Sequence, residues 1–366
     1  MLQRLSYKHT GLPQQISLEG DRSARARFAI AGLAALLVLT MGFALQVGAS
    51  DVPTLRILMT WAGLDGGQGL KPVDQIVIMS IRLPRVIMGA MIGAALAVSG
   101  AVMQGLFRNP LADPGIVGVS AGASLGAVAI IVLGGTVLAP YAQVAGGNAL
   151  PFAAFLGGLA STYILYSIAT RQRRTSVATM LLAGIALGAF ALAMTGLLIF
   201  VADDLQLRQI SFWSLGSLAG ATWEKIVSIV PIIVPALCVS IYLARGLNAL
   251  AFGEAAAVHM GVSVQLVKNV AIFAIAAATG ASVAVSGGIG FVGIIVPHAL
   301  RLLIGPDHRF LLPAAGLLGA VFLILADCIS RTIVPPAELP IGIVTAAIGA
   351  PFFLWILLRR RGIVDL

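Results

Sequence analysis

The chain has 366 residues, of which 59% are hydrophobic and only 10% are charged, and its mean hydropathy is +1.01. Soluble domains carry roughly 25% charged residues, so this composition excludes a soluble globular protein and is typical of a protein that crosses the membrane many times. The 23 Lys and Arg residues exceed the 14 Asp and Glu residues, and the net charge of +9 indicates basic cytosolic loops rather than a nucleic-acid partner.

Ten stretches are apolar enough to cross a bilayer, whose hydrocarbon core is matched by about 20 residues of helix. They lie at about residues 28–48, 84–106, 115–134, 149–170, 178–201, 226–244, 269–286, 289–304, 311–330 and 339–358. The eighth is short and contains Pro297, His298 and Arg301, so the sequence alone leaves nine or ten spans. The first resembles a signal peptide in following basic residues, but it is longer than the ~7–15 apolar residues of a secretory signal and is expected to remain a span. The predicted fold class is an all-α polytopic membrane protein.

The distribution of basic residues predicts which side each loop faces. With a cytosolic N-terminus, 16 of the Lys and Arg residues lie inside and 7 lie outside, so both termini are expected in the cytosol. Residues 1–27 are then a cytosolic tail, and residues 28–366 form one transmembrane domain. The longest cytosolic loop, 245–268, contains a segment bounded by glycines, GEAAAVHMG, and a loop of this length indicates a partner protein.

Glycines recur four residues apart in several predicted spans, as in the pairs Gly89/Gly93 and Gly184/Gly188. This spacing lets helix backbones approach closely in a membrane, where lipid provides no hydrophobic force between helices. The pattern predicts close helix packing, a smooth wall around a large solute, or both.

No catalytic constellation is visible. No lysine stands in a Walker A phosphate loop, so the chain cannot hydrolyse ATP by that route. The one acidic residue inside a predicted span, Asp327, precedes Arg331 by four residues, a spacing that predicts a structural ion pair on one helix face. Cys238 and Cys328 lie unpaired in apolar spans, and the histidines lack the spacing of a metal site. We therefore expect no catalytic residue, metal or cofactor on this chain, and an energy source on another subunit.

The chain closely resembles the permease subunits of type II ABC importers for iron-siderophores, haem and vitamin B12. Five blocks carry the resemblance in order: RLPR at 82–85, SGAVMQGLFRNPLADPGIVGVSAGA at 99–123, GEAAAVHMGV at 253–262, SGGIGFVGIIVPHALRLLIGPDHR at 286–309 and ELPIGIVTAAIGAPFFLWILL at 338–358. It implies ten transmembrane helices, a homodimer with the pathway on its two-fold axis, and a place in the bacterial inner membrane. It also implies two cytosolic ATP-binding cassette subunits, which use ATP and Mg²⁺, and a periplasmic substrate-binding protein.

The resemblance also implies roles for residues near both membrane surfaces. Arg82, Arg85 and Arg331 match arginines that receive acidic side chains of the binding protein; the alternatives are interfacial anchoring or, for Arg331, the ion pair described above. Asn109 and Leu111, in the turn RNPLADP, match the cytosolic gate, although turn chemistry alone would also explain Asn109.

The segment 253–261 matches the coupling helices that sit in a cleft of each ATPase, whereas alone it would be taken for a solvated loop. Gly253 and Gly261 bound it, and Ala255 and Ala256 permit close docking. Glu254 is expected to pair with a basic surface of the ATPase.

The substrate is the least determined property. QLRQISFWSLGSLAGATW at 206–223 and RNPLADPGIVGVSAGASLGA at 108–127 are most similar to haem permeases, and Arg208 is placed to attract haem propionates unless it is simply a solvated arginine. We expect haem import from periplasm to cytosol by alternating access, with a ferric siderophore or cobalamin as the alternative cargo. A stand-alone secondary transporter is the rival from another class, and it would need an acidic residue at mid-membrane. A membrane enzyme is disfavoured because paired carboxylates and metal-ligand spacing are absent.

Overall fold

The computed structural model describes residues 22–48, 63, 72–171 and 174–359. Apart from the antiparallel pair Thr170–Arg171 and Arg174–Thr175, its regular elements are helices. The main ones are α1 Ser23–Gln46, α2 Pro72–Phe107, α3 Val119–Leu133, α4 Ala149–Ala169, α5 Val177–Phe200, α6 Asp204–Ser214, α7 Trp223–Tyr242, α8 Ala244–Ala251, α9 Glu254–His259, α10 Val264–Ser286, α11 Val292–Ile304, α12 His308–Thr332 and α13 Ile341–Arg359. A short helix, Ala139–Ala145, precedes α4. Most of the predicted N-terminal tail lies outside the described residues.

Ten apolar helices coincide with the ten predicted spans. Seven are long enough to cross a membrane, and α3, α11 and α13 are shorter apolar helices. The eighth span, which was in doubt, is the helix α11 and contains Pro297. Polar side chains fix several helix starts: Ser176 caps α5, Thr222 caps α7, and Asp203 forms a capping box with Gln206 at α6.

Helices α2, α10 and α12 form the interior, and α1, α5 and α7 are mostly exposed on the surface of the single chain. A Cβ atom added at Gly93 of α2 would lie 2.2 Å from the carbonyl oxygen of Gly319 in α12, a distance that no side chain tolerates. A Cβ atom added at Gly122 of α3 would likewise lie 2.4 Å from the carbonyl oxygen of Gly157 in α4. These glycines serve close packing, as their spacing predicted. Gly188 of α5 differs, because no described atom lies within 4 Å of where its Cβ would be.

Helix α12 connects the two regions that matter below. At the arginine end, which contains Arg82, Arg85 and Arg331, α1 and α12 end beside the first half of α2. At the α9 end, α2 ends and α12 begins next to α8, which leads into α9. The close contact between α2 and α12 makes them one packed unit across the membrane.

Candidate functional site

Arg82 and Arg331 bind the last turn of α1 at the arginine end. Both guanidinium groups donate hydrogen bonds to main-chain carbonyl oxygens of residues 44–47, at 2.7 to 3.3 Å. The final carbonyls of a helix have no partner within it and carry partial negative charge, so two cations stabilise this end. Both arginine side chains are almost fully buried.

Arg85 is held by two carboxylates. Its Nε and Nη2 atoms donate to the buried carboxylate of Asp327 at 2.9 to 3.0 Å, and Nη1 and Nη2 donate to Glu338 at 2.8 and 2.9 Å. Asp327 is shared, because its Oδ2 atom lies 3.2 Å from Nε of Arg331, within ion-pair distance although out of line for a hydrogen bond. The pair predicted from the spacing of Asp327 and Arg331 is therefore confirmed.

These residues, Arg82, Arg85, Arg331, Asp327 and Glu338, are called the arginine cluster below. All of them except Asp327 line an open cavity of about 470 Å³, together with neighbours that include Pro335 and Pro336. All three arginines bind carboxylates or carbonyl oxygens of their own chain, and for Arg331 these include the ion pair with Asp327 that was the alternative to docking. The five residues of the cluster carry three positive and two negative charges. A role in docking stays a prediction.

At the α9 end, the segment 253–261 is a short helix, α9, between two sharp turns. Gly253 and Gly261 have φ angles of +103° and +78°, a region that favours glycine because it has no Cβ. Ala255 is exposed and Ala256 is half-buried. With α8, α9 forms a compact helix–turn–helix, as a coupling element requires, while coupling itself stays a prediction.

Large apolar side chains are exposed around α9. The exposed fractions are 78% for Phe252, 60% for Val258 and 53% for Met260. An apolar patch next to a charged loop indicates a protein partner.

Glu254 has a partner within the chain, and its pairing with a basic surface of the ATPase stays a prediction. Nζ of the buried Lys268 lies 2.7 Å from its Oε1 atom and 2.8 Å from the carbonyl oxygen of Thr175. Gln265 holds Thr175 through two further hydrogen bonds, of 2.6 and 3.0 Å. The lysine joint, defined as Lys268, Glu254 and Thr175, therefore ties α9 to α10 and to the loop before α5.

Asn248 joins α8 to the start of α12. Its Nδ2 atom donates to Asp307 at 2.7 Å, and its Oδ1 atom accepts from the main-chain nitrogen and Nδ1 of His308 at 2.9 and 2.8 Å. Partial burial alone would raise the pKa of Asp307, but hydrogen bonds from Arg309 and Asn248 outweigh it and hold that pKa at about 2. The carboxylate is thus charged at neutral pH and fixes Asn248 in place.

Asn109 and Leu111 follow the end of α2. The Oδ1 atom of Asn109 accepts a hydrogen bond of 2.9 Å from the main-chain nitrogen of Leu111. The exposed Asn109 thus performs the turn chemistry that was its alternative explanation, and Leu111 is half-buried. The gate assignment of both residues remains untested.

Arg208 lies on the exposed face of α6. The opposite face packs through the buried Ile210 against Val128 and Val132 of α3. The geometry agrees with a solvated arginine on a surface helix and does not by itself form a binding pocket.

The chain is similar to known transport proteins over nearly its whole length. The family model described as the FecCD transport family matches residues 36–359. The hemin transport system permease protein HmuU of Yersinia pestis is 46% identical over 286 residues, covering 77% of this chain and 83% of that protein. The vitamin B12 import system permease protein BtuC of Klebsiella pneumoniae is 39% identical over 351 residues, covering 96% and 99%.

The fold is also similar to a solved structure. An ABC transporter of the metal-chelate type, captured in an inward-facing conformation, superposes with a TM-score of 0.78 at 32% identity, covering 91% of this chain and 99% of that chain.

Proposed function

Because the chain belongs to the FecCD transport family, as a permease subunit of a type II ABC importer whose ATP is hydrolysed by a separate subunit, we propose that its cargo is haem. The observation that carries the proposal is the identity of 46% to a hemin permease, against 39% to 42% to cobalamin and vitamin B12 permeases. Haem would move from periplasm to cytosol by alternating access.

The proposed assembly is a homodimer with two ATP-binding cassette subunits and a periplasmic binding protein, in the bacterial inner membrane. The arginine end faces the periplasm, and both termini and α9 face the cytosol. Support for a second copy comes from α5, which exposes Leu182 and Ile185 and leaves open space beside Gly188 where another helix can approach. The chain itself binds no cofactor, and its partner uses ATP and Mg²⁺.

Reconstitution tests the cargo. The permease is placed in proteoliposomes with its ATPase and with the binding protein that stimulates ATP hydrolysis by the complex. Uptake of haem, ferrichrome and cobalamin is then measured side by side. We expect ATP-dependent haem uptake, and preferential uptake of either other compound overturns haem as the cargo. Uptake without any ATPase would support the secondary-transporter alternative instead.

A second experiment tests coupling through α9. Ala255→Trp places a bulky group on the exposed face of α9, and we expect haem uptake to fall at least about tenfold without loss of membrane insertion. Ala255 is a better position than Ala256, whose half-buried side chain would also disturb packing inside the chain. Wild-type uptake by the variant would show that α9 does not contact the ATPase.

A further inference from the structure

The two carboxylates that hold Arg85 differ in their surroundings. The Asp327 side chain is 4% exposed, lies within the bundle and also serves Arg331. The Glu338 side chain is 40% exposed and caps the guanidinium from the loop between α12 and α13. Asp327 is therefore a permanent partner, whereas Glu338 can swing away into water.

Departure of Glu338 would leave Arg85 hydrogen-bonded to Asp327, the buried carboxylate that it shares with Arg331. Three hydrogen bonds to Asp327, of 2.9 to 3.0 Å, would persist, and only the edge of the guanidinium formed by Nη1 and Nη2 would be opened. That edge is the fork that binds a carboxylate through two parallel hydrogen bonds. The vacated position would lie in the open cavity of about 470 Å³ that the arginine cluster lines.

We propose that Glu338 is an internal substitute for a partner's carboxylate, which it keeps off Arg85 until an acidic side chain of the binding protein displaces it. This inference rests on the proposed function, in which the arginine end receives the binding protein. Docking is then an exchange of one carboxylate for another on the same fork. The vacated fork of Arg85, formed by Nη1 and Nη2, selects a carboxylate as its partner.

Exchange of one carboxylate for another predicts a different salt dependence of docking from that of simple charge attraction. Because one ion pair is lost for each one gained, the wild-type association should depend only weakly on salt. Removing the Glu338 charge converts docking into formation of a new ion pair, which salt screens. Glu338 competes with the binding protein for the Arg85 fork, and it lowers the apparent affinity of the permease for that protein in proportion to the time it occupies the fork. Removing the Glu338 charge ends this competition.

The test uses the permease in nanodiscs and the binding protein that stimulates ATP hydrolysis by the permease–ATPase complex. The dissociation constant is measured for wild type and Glu338→Gln between 50 and 500 mM NaCl, about a threefold span of Debye length. We expect Glu338→Gln to bind about three- to tenfold more tightly at low salt and to lose this advantage at high salt. Glu224→Gln is the matched control, since Glu224 is exposed on α7, near the same predicted surface, and has the same charge but no contact with Arg85.

Each outcome decides a different point. Equal or weaker binding by both Glu338→Gln and Glu338→Ala, with wild-type binding intact, overturns the substitution and leaves the importer assignment standing. Equal tightening by Glu224→Gln also overturns it, because the effect would then be general surface charge. Failure of wild type to bind any stimulating protein contradicts the proposed function itself. A second variant, Glu338→Ala, covers the case in which glutamine retains the hydrogen bonds, and it should bind at least as tightly as Glu338→Gln.

A small anion is the competing occupant. Inorganic phosphate replaces chloride at constant ionic strength, and thermal unfolding of wild type and Glu338→Gln is followed without the binding protein. We expect no difference between the salts. Selective stabilisation of Glu338→Gln by phosphate, without tighter protein docking, would identify an anion site and overturn the proposal.

Discussion

The arginine cluster and the lysine joint lie at opposite ends of the bundle and share one arrangement. In each, a buried cation is held by a half-exposed carboxylate: Arg85 and Glu338 have side chains 7% and 40% exposed, and Lys268 and Glu254 have 5% and 49%. They differ in what remains if the exposed carboxylate leaves. Arg85 keeps the buried Asp327, whereas Lys268 keeps only the carbonyl oxygen of Thr175 among the contacts of the described residues.

Because of this difference, the contact between Arg85 and Glu338 can open, whereas the contact between Lys268 and Glu254 cannot. A buried charge without its counter-charge is costly, so Glu254 must stay on Lys268 while the chain is folded. If Glu338 leaves, Arg85 still has the carboxylate of Asp327, which it shares with Arg331. The α9 end is therefore held as one rigid body, which is suited to transmitting a displacement. The arginine end instead has a side chain, Glu338, that can be exchanged.

The largest effect is expected from Asp327→Asn, which removes the carboxylate that makes the two ends different. An asparagine would direct an amide group at the buried guanidinium groups of Arg85 and Arg331. Breaking a buried pair costs about 3–5 kcal/mol, so we expect the Tm in detergent to fall by roughly 4–10 °C. Thermal unfolding at a fixed scan rate measures this, with Glu224→Gln as the control. An unchanged Tm would remove Asp327 as the cause of the difference.

Glu254→Gln comes next, and it tests the lysine joint directly. It leaves Lys268 buried with a neutral partner, and because Glu254 is half-exposed we expect a smaller fall in Tm, roughly 2–5 °C. The double variant Glu254→Gln with Lys268→Met removes both charges and should recover most of the loss. If the double variant were less stable than Glu254→Gln, the cost would not come from the unpaired ammonium.

The helices were predictable from the sequence because length and apolarity are local properties. The pair Asp327 and Arg331 was predictable for the same reason, since four residues separate neighbours on one helix face. Partners across the fold were not predictable. Arg85 and Glu338 are 253 residues apart, and no local pattern specifies that α12 brings the loop carrying Glu338 over the start of α2.

The lysine joint was also not predicted, although its two charged residues are much closer in sequence. Lys268 and Glu254 are 14 residues apart, but the turn at Gly261 lies between them and reverses the chain. Within the chain, the basic partner of Glu254 lies on α10, and that contact depends on the turn geometry. The pairing of Glu254 with the ATPase stays a prediction.

Asn248→Ala tests whether the α9 end acts as one body. It removes the three hydrogen bonds to Asp307 and His308 that join α8 to α12, each worth about 0.5 kcal/mol at this partly exposed site, so we expect the Tm to fall by about 2–3 °C. The more specific readout is coupling: haem uptake per ATP hydrolysed should fall severalfold while ATPase binding persists. Arg245→Ala, on the exposed face of the same helix, is the control for general disturbance of α8. Uptake per ATP equal to wild type would mean that α12 receives its motion elsewhere.

The smallest effect on stability is expected from Glu338→Gln, the counterpart of Glu254→Gln at the arginine end. Both variants neutralise a half-exposed carboxylate on a buried cation, yet Arg85 retains Asp327 and glutamine retains an acceptor oxygen for the guanidinium. An ion pair with one solvated partner contributes about 0–1 kcal/mol, so the Tm should change by less than about 2 °C. The two glutamine variants are measured in the same detergent, at the same scan rate and protein concentration. A fall in Tm for Glu338→Gln as large as that for Glu254→Gln would mean that Arg85 depends on both carboxylates, and then Glu338 could not leave the fork to admit a partner.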